Sequence, residues 1–326
     1  MKLSDKIYVA GHNGLVGSAI LRLLRKKGYY NIVTRLSSEL DLRDQFRVNQ
    51  FFELEKPMYV FLAAAKVGGI LANQTYPGTF IFDNLSIQTN VIHAAYNNGV
   101  EKLLFLGSSC IYPKNAPQPI EEDYLMTGFL EPTNEAYAVA KIAGIKMCQA
   151  YHRQFGSRFI SVMPTNLYGP GDNYHLQNAH VLPALIRKFH EAKINQDPHV
   201  MVWGTGKPRR EFLHVDDAAM ACYFLMQKYD APEIINIGFG MDFTIREVAQ
   251  LLKKITRFTG EIRFDESKPD GTPRKLLNVD KINQLGWQAT IDLESGLEST
   301  YHNFENNYQY YIHRNDADFR VEKAHV

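Results

Sequence analysis

A glycine-rich segment close to the N-terminus constrains the fold of this chain more than any other feature. The apolar run at residues 6–10 ends at Gly11, and Gly14 and Gly17 follow at a spacing of three. Residues 18–24 then carry apolar side chains at helical spacing. A strand, a glycine turn and a helix form the context of a dinucleotide-binding fingerprint, because glycine lets the backbone turn tightly and approach a pyrophosphate at the helix N-terminus. We therefore predict dinucleotide contacts along this segment: Gly11, His12, Asn13, Gly14, Leu15, Val16 and Gly17.

Strand-like and helix-like runs alternate through the first half of the chain. Apolar strand patterns occur at 31–35, 57–65 and 102–107, and helical patterns occur at 84–98 and 135–154. This alternation predicts an α/β fold, a Rossmann-type doubly wound parallel sheet. The 326 residues also leave room for a smaller C-terminal α/β substrate lobe. We predict a cofactor domain at 1–165, a lobe at 166–310 with some chain exchange between the two, and a tail at 311–326.

Composition and charge exclude several classes of function. The chain has 36 Lys and Arg against 35 Asp and Glu, a net charge of +1, so neither nucleic acid nor a membrane surface is expected as a partner. No apolar run approaches the ~18 residues of a spanning helix. Cys110, Cys148 and Cys222 show neither CxxC nor zinc spacing, which predicts no metal site and no disulfide framework. These features are typical of a cytoplasmic protein.

The end of the second predicted strand bears on cofactor choice. Proteins that bind the ribose 2′-hydroxyl of NAD carry Asp or Glu there, whereas this chain has Arg35. A guanidinium suits the 2′-phosphate of NADP, although a solvated arginine is the alternative. Asp41 either accepts from the adenine amino group or caps the helix predicted to start near Arg43.

Polar side chains follow the fourth predicted strand, where ligands bind in open α/β sheets. Ser108 and Cys110 stand directly after this strand. Tyr137 and Lys141 are four residues apart in a helical pattern, so the phenol and the ammonium lie on one face. We expect the cation to lower the pKa of Tyr137, which would then pass a proton to a carbonyl oxygen while hydride arrives at its carbon.

Longer stretches carry a specific family resemblance. Together with the glycine motif, Ser108 and the Tyr137–Lys141 pair, they closely resemble the GDP-L-fucose synthase family of the extended short-chain dehydrogenase/reductases. The resemblance runs from about residue 6 to about residue 305. Its longest motifs are residues 63–70 (AAAKVGGI), 106–113 (LGSSCIYP), 164–170 (PTNLYGP) and 268–275 (KPDGTPRK).

The resemblance implies two kinds of chemistry in one pocket. The substrate GDP-4-keto-6-deoxy-D-mannose is inverted at C3 and C5 through enolates, and NADPH then reduces the C4 ketone. Cys110 matches the family's base and His180 its acid. Ser108 and Tyr137 would hydrogen-bond the C4 oxygen during both steps, and Lys141 would hold the nicotinamide ribose. The remaining cofactor contacts implied are Leu106, Gly107, Pro164, Thr165, Asn166, Leu167 and His180.

The second half supplies the substrate contacts that the resemblance implies, namely Lys188, Trp203, Arg210 and Asp270. A planar guanidinium clamps a pyrophosphate well, and an indole provides a stacking wall. Without the family, Lys188 is equally consistent with a solvated face and Trp203 with a core aromatic. The chain departs from the pattern at Asn13 and Ser37, where many bacterial members carry arginines that serve the NADP phosphate.

The family also implies a homodimer through two helices per subunit, near 84–98 and 134–154. Small residues suit close helix approach between subunits or, alternatively, packing within one subunit: Ala136, Ala140, Ala143 and Gly144. The tail from Tyr308 onward lies outside the resemblance and is predicted to fray. Two other functions stay open: another sugar-nucleotide epimerase or dehydratase, and a catalytically inactive NAD(P)-sensing protein.

Overall fold

The computed structural model describes residues 1–176, 179–268 and 270–313. The strands are β1 (Ile7–Ala10), β2 (Ile32–Val33), β3 (Tyr59–Leu62), β4 (Lys102–Leu106), β5 (Arg158–Pro164), β6 (Asn166–Tyr168), β7 (His199–Trp203), β8 (Arg209–His214), β9 (Ile235–Ile237), β10 (Asp242–Thr244), β11 (Glu261–Asp265) and β12 (Arg274–Lys275). The first sheet has six parallel strands in the order β2-β1-β3-β4-β5-β9. The predicted Rossmann-type sheet is confirmed.

Helices cover both faces of this sheet, which explains why β1, β3 and β4 are buried along their whole length. The helices are α1 (Leu15–Lys26), α2 (Gln45–Glu55), α3 (Ile70–Thr75), α4 (Pro77–Asn97), α5 (Glu135–Phe155), α6 (Val181–Asn195), α7 (Val215–Lys228), α8 (Ile245–Thr256), α9 (Asp280–Gln284) and α10 (Leu293–Asn306). The helix predicted at 84–98 begins earlier, at Pro77, because proline is well suited to a first helical turn.

The second lobe is built on two small sheets. Strand β8 pairs with β10, β12 and β6, and β7 pairs with β11 in parallel. Aromatic and aliphatic side chains from α6, α8 and α10 form its core, including Phe189, Leu252 and Phe304. This lobe places β8 and β12 beside the carboxyl edge of the first sheet.

The chain passes between the two parts more than once. Strand β6 follows β5 directly but pairs with β8, whereas β9 returns to the edge of the first sheet beside β5. Helix α7 also packs its Val215, Ala218 and Leu225 into the core that contains β1 and β4. The two parts are therefore joined through shared packing.

The prediction of a fraying tail is wrong for its first residues. Residues 308–313 are helical, and Tyr311 is only 5 % exposed. Its ring lies 4.8 Å from that of Tyr174, and its hydroxyl accepts a hydrogen bond from the Gly171 N–H at 3.0 Å. Burial of a large aromatic ring outweighs the entropy of ordering one further helical turn. The rest of the predicted tail lies outside the described residues.

No helix within the described residues is long and apolar enough to cross a membrane.

Candidate functional site

The glycine segment forms a tight cradle between β1 and α1. Gly11 adopts φ +82°, and a Cβ there would stand 2.7 Å from the backbone of Ala64. A Cβ on Gly17 would overlap the Gly11 carbonyl, so the helix packs directly on the turn. Helix α1 begins at Leu15, and its N-cap Gly14 provides no side-chain cap, which leaves N–H groups of the first turn for a ligand. The cradle fits a dinucleotide pyrophosphate.

Two further residues of this segment differ in their exposure. His12 is half-buried, its Nδ1 has no hydrogen-bond partner among the described residues, and burial lowers its pKa, so the imidazole is neutral near pH 7. Asn13 is exposed, as is Ser37 at the end of the second strand region. Neither position provides the cationic side chain that would pair with a phosphate.

Arg35 is engaged with protein groups. Its guanidinium forms an ion pair with Glu55, donates to the Thr34 carbonyl at 2.8 Å and lies 5.4 Å from the ring centre of Phe51. A 2′-phosphate at Arg35 would therefore compete with the Glu55 carboxylate for the guanidinium.

Asp41 does not cap the following helix. Helix α2 starts at Gln45, and Asp44 is its N-cap, accepting from the Arg47 N–H at 3.1 Å. Asp41 instead accepts from both the backbone and the side chain of Arg43, and the Arg43 hydrogen bonds lower its pKa.

Ser108 and Cys110 meet at the carboxyl end of β4. The Ser108 Oγ and Cys110 Sγ are 2.8 Å apart, and the Cys110 N–H donates to the same Oγ at 3.3 Å. Ser108 is the N-cap of a short 3₁₀ turn over Ser109–Ile111, which fixes the two side chains relative to each other. Both side chains are half-buried.

Tyr137 and Lys141 lie on the same face of α5, as their spacing predicts. The Lys141 Nζ is 5.8 Å from the centre of the Tyr137 ring and donates to the Leu106 carbonyl at 2.8 Å. The expected fall in the pKa of Tyr137 is wrong. Burial is the largest influence and raises that pKa, and only the Ser108 hydrogen bond opposes it. Tyr137 is therefore a protonated phenol in contact with Ser108, which makes it a proton donor.

Lys141 is itself perturbed by its surroundings. It is 3 % exposed, and burial lowers its pKa to about 8, against the opposing influence of Cys110. Its ammonium also lies 4.8 Å from the Phe105 ring centre. These contacts hold the Lys141 side chain next to Tyr137, at the end of β4.

The predicted nicotinamide-side residues surround the ends of β4 and β5. Gly107 donates its N–H to the Val162 carbonyl at 2.9 Å, and Thr165 donates to the Ile237 carbonyl at 3.0 Å. The Asn166 side chain donates to the Glu211 carbonyl at 2.8 Å. Apart from His180, the predicted set lies at this carboxyl edge: Leu106, Gly107, Pro164, Thr165, Asn166 and Leu167.

His180 is the N-cap residue of α6 and its side chain does not cap the helix. Its side chain is exposed to solvent, although protein atoms also crowd its ring. Burial lowers its pKa, and the positive charge of Lys275 lowers it further.

The predicted substrate residues all lie in the second lobe, where Lys188 and Trp203 are in contact. The Lys188 Nζ lies 5.3 Å from the Trp203 ring centre and donates to the Met201 carbonyl, and the indole is 53 % exposed. Asp270 accepts from the Thr205 N–H at 2.7 Å and is electrostatically coupled to Arg210. Burial lowers the pKa of the Arg210 guanidinium.

One residue close to this site is absent from the predicted set. Lys275, the last residue of the 268–275 motif, is half-buried and interacts electrostatically with Cys110, His180 and Arg210. Its place in a motif that also contains Asp270 was the available signal. Within the described residues, no cluster of His, Cys, Asp and Glu is arranged to hold a metal ion.

Comparisons with known proteins identify the family of the chain. Residues 7–238 match the NAD dependent epimerase/dehydratase family. The chain is 62 % identical to GDP-L-fucose synthase 1 of Arabidopsis thaliana over 298 residues, covering 91 % of this chain and 92 % of that protein. It is 55 % identical to GDP-L-fucose synthase of Escherichia coli (strain K12), covering 93 % and 97 %. A solved GDP-L-fucose synthetase from Naegleria fowleri bound to NADP superposes with a TM-score of 0.88 at 33 % identity, covering 95 % of this chain and 96 % of that chain.

Proposed function

The chain belongs to the NAD dependent epimerase/dehydratase family, and from this premise we propose that it converts GDP-4-keto-6-deoxy-D-mannose to GDP-L-fucose. The reaction is a 3,5-epimerisation followed by NADPH-dependent reduction of the C4 ketone. The observation that carries the proposal is the contact of Ser108, Cys110 and Tyr137 in one cluster at the carboxyl end of β4. A single sugar ring placed there meets both a thiol and a phenol.

The cofactor is NADPH, which supplies hydride to the ketone carbon. A relative of known structure binds NADP, and the Gly11–Gly17 cradle fits the pyrophosphate of such a dinucleotide. Lys141 and the residues at the ends of β4 and β5 hold the nicotinamide half. The backbone N–H groups at the start of α1 bind the pyrophosphate, whereas Arg35, which is already paired with Glu55, contributes little to binding of the 2′-phosphate.

Epimerisation uses the acidity of protons beside a ketone. Cys110 as thiolate removes a proton from the ring carbon, and His180 returns one from the other face. The charge that develops on the C4 oxygen is stabilised by hydrogen bonds from Ser108 and Tyr137. The same two donors serve each inversion, since every enolate carries its charge on that oxygen.

Reduction requires one proton for the C4 oxygen. Burial raises the pKa of Tyr137, so the phenol holds its proton until negative charge forms beside it. The hydrogen bond from Ser108 holds the C4 oxygen of the sugar beside the Tyr137 hydroxyl. Lys141 lies below the ring and compensates the phenolate that forms when the proton leaves.

The second lobe binds the GDP part of the substrate. Arg210 pairs with the pyrophosphate, and Trp203 offers an exposed indole face beside Lys188. Asp270 is held against the Thr205 turn, and its negative charge favours the protonated form of the Arg210 guanidinium.

We also propose a homodimer formed through α4 and α5. Phe82 on α4 is 63 % exposed and Val139 on α5 is 40 % exposed, so apolar surface lies on both helices. Ala140 and Gly144 are buried, and a Cβ on Gly144 would meet Phe105 of the same subunit. Light scattering of the native protein and of Phe82→Glu tests the dimer, and a native monomer contradicts it.

The free cysteines favour a cytoplasmic site of action.

The deciding experiment incubates the purified chain with GDP-4-keto-6-deoxy-D-mannose and NADPH. The proposal expects stoichiometric loss of NADPH absorbance and formation of GDP-L-fucose, identified by chromatography and NMR. A sugar product without net NADPH oxidation indicates an epimerase that recycles its cofactor, and binding without turnover indicates a sensing protein. Either of these outcomes overturns the proposal. The Tyr137→Phe variant is the matched control, because it keeps the pocket and removes only the proton donor.

A further inference from the structure

Glu211 is a buried carboxylate that the proposed mechanism does not use. It lies on β8 directly after Arg210 and is 0 % exposed. Its Oε1 accepts from the Gly240 N–H at 2.7 Å, and its Oε2 accepts from the Leu277 N–H at 3.0 Å. Within the described residues, no lysine or arginine forms an ion pair with it. Because a carboxylate buried without a counter-ion costs free energy unless it is hydrogen-bonded, these backbone contacts are what holds it there.

The two N–H groups belong to segments that are far apart in the chain. Gly240 lies in the turn between β9 and β10, and Leu277 follows β12. Strand β10 pairs with β8 on one side, and β12 pairs with it on the other side, where Lys275 stands opposite Arg210. The Glu211 carboxylate therefore ties three strands of the substrate lobe together beside Arg210.

The first sheet also packs directly against this carboxylate. Gly238 follows β9, the edge strand beside β5. A Cβ on Gly238 would stand 2.2 Å from the Glu211 Oε1 and 2.8 Å from its Cδ, so a glycine is required for the close approach. The carboxylate thus has no room to move without displacing the end of β9 or one of the two lobe segments that it binds.

The main chain of the same residue contacts the cofactor side of the site. The Glu211 carbonyl accepts from the Asn166 side chain at 2.8 Å and from the Thr165 hydroxyl at 3.3 Å. Both residues belong to the set proposed to hold the nicotinamide half of NADPH, whereas Arg210 is proposed to bind the substrate pyrophosphate. One residue therefore connects the two ligand sites, through its carbonyl on the cofactor side and its carboxylate on the substrate side.

We propose that Glu211 is a positioning residue that fixes Arg210, and with it the substrate pyrophosphate, relative to the nicotinamide. The carboxylate holds β10 and β12 against β8, so the guanidinium and the sugar that it anchors keep one place relative to Asn166. No proton or hydride passes through Glu211. This inference rests on the proposed function, but its first test uses only GDP and NADP⁺ and requires no turnover.

The first test measures the dissociation constants of GDP and of NADP⁺ by calorimetry for the native chain and for Glu211→Gln. Glutamine has the size of glutamate, but its NH₂ group would face one of the two backbone N–H groups and displace that segment. We expect GDP to bind about tenfold more weakly, as for a loosened charge-assisted contact. NADP⁺ binding should stay close to native, because the Glu211 carbonyl still accepts from Asn166. Loss of the negative charge alone would have the opposite sign, since it would favour binding of anionic GDP.

The matched control is Asp217→Asn. Asp217 is 4 % exposed, and its Oδ2 accepts from the N–H groups of Thr290 and Ile291, both at 2.8 Å. None of these residues is a predicted ligand contact, so this variant should lose stability but keep native affinity for both ligands. A second variant, Gly238→Ala, puts a methyl group against the carboxylate without changing any charge, and it should weaken GDP binding as Glu211→Gln does. It carries the test alone if circular dichroism shows Glu211→Gln to be unfolded.

Native affinity for GDP in the folded variants would overturn the proposal, and so would an equal loss in Asp217→Asn, because the fold would then be loosened generally. A second test measures hydride transfer in a single turnover at saturating GDP sugar. Glu211→Gln should be slower than the native chain by about tenfold or more, since a misplaced ring reacts slowly even when it is fully bound. A native rate at saturation would overturn the proposal.

The two tests also separate this inference from the proposed function. If the native chain binds GDP but does not reduce the sugar, and Glu211→Gln still loses GDP affinity, the proposed function fails and the role of Glu211 in holding Arg210 stands. If the native chain binds no GDP, both are overturned.

Discussion

The substitution Asp172→Asn tests how burial controls the segment that leads to His180. Asp172 follows β6 and is 7 % exposed. One carboxylate oxygen accepts from the adjacent Asn173 N–H at 2.7 Å, and the other is buried without a partner among the described residues. Burial raises the pKa of this carboxyl from 3.8 to about 7.

The sign and size of the effect follow from that pKa. Between about pH 4 and pH 7 the folded chain keeps a proton on Asp172 that the unfolded chain has released, so the free energy of unfolding falls as pH rises through this window. From about pH 5 to pH 8 the loss spans roughly two pKa units, or about 3 kcal/mol as an upper bound. An amide side chain at this position carries no charge and avoids the loss. We expect Asp172→Asn to gain stability over the native chain as pH increases.

Thermal unfolding at about pH 5 and pH 8, at one scan rate, measures this gain. At roughly 2 °C per kcal/mol for a chain of this size, the Tm difference between Asp172→Asn and the native chain should grow by about 6 °C. The control is Asp292→Asn. Asp292 caps α10, and the Ser295 hydrogen bonds lower its pKa, so its contribution is constant in this window. A Tm difference for Asp172→Asn that does not change with pH would refute the reasoning.

Four further substitutions test the site and its supports. Cys110→Ser should abolish deuterium uptake at C3 and C5 while ketone reduction continues, giving unepimerised products by NMR; normal turnover would remove the thiol from the mechanism. Tyr137→Phe should slow hydride transfer by roughly 10²–10⁴-fold in single-turnover kinetics, and a native rate would contradict its role. Arg35→Ala should change the NADPH-over-NADH ratio of kcat/KM by less than about threefold, because a carboxylate already neutralises it; a tenfold fall would show that the 2′-phosphate displaces that partner. Tyr311→Phe should lower stability by about 1–3 kcal/mol in denaturant unfolding, since the buried Gly171 N–H loses its acceptor, and an unchanged midpoint would show that water replaces it.

Local sequence was sufficient for the features that depend on neighbouring residues. The glycine spacing specifies a turn in which Gly11 has positive φ and Gly17 touches the turn carbonyl, since no other residue fits either position. A spacing of four puts Tyr137 and Lys141 on one helix face whatever the helix packs against. Family resemblance, rather than spacing, pointed to Cys110 and His180.

Tertiary structure decided the charges and pairings. The sequence shows Arg35 at a strand end, but only the approach of α2 brings Glu55 to its guanidinium. It shows Tyr137 one turn from a lysine, but the loss of water around the phenol is what raises its pKa. The pairing of β12 with β8, which puts Lys275 opposite Arg210, likewise joins segments far apart in the chain. Backbone geometry follows from a residue and its neighbours, whereas desolvation and long-range ion pairs depend on what the rest of the chain places around each side chain.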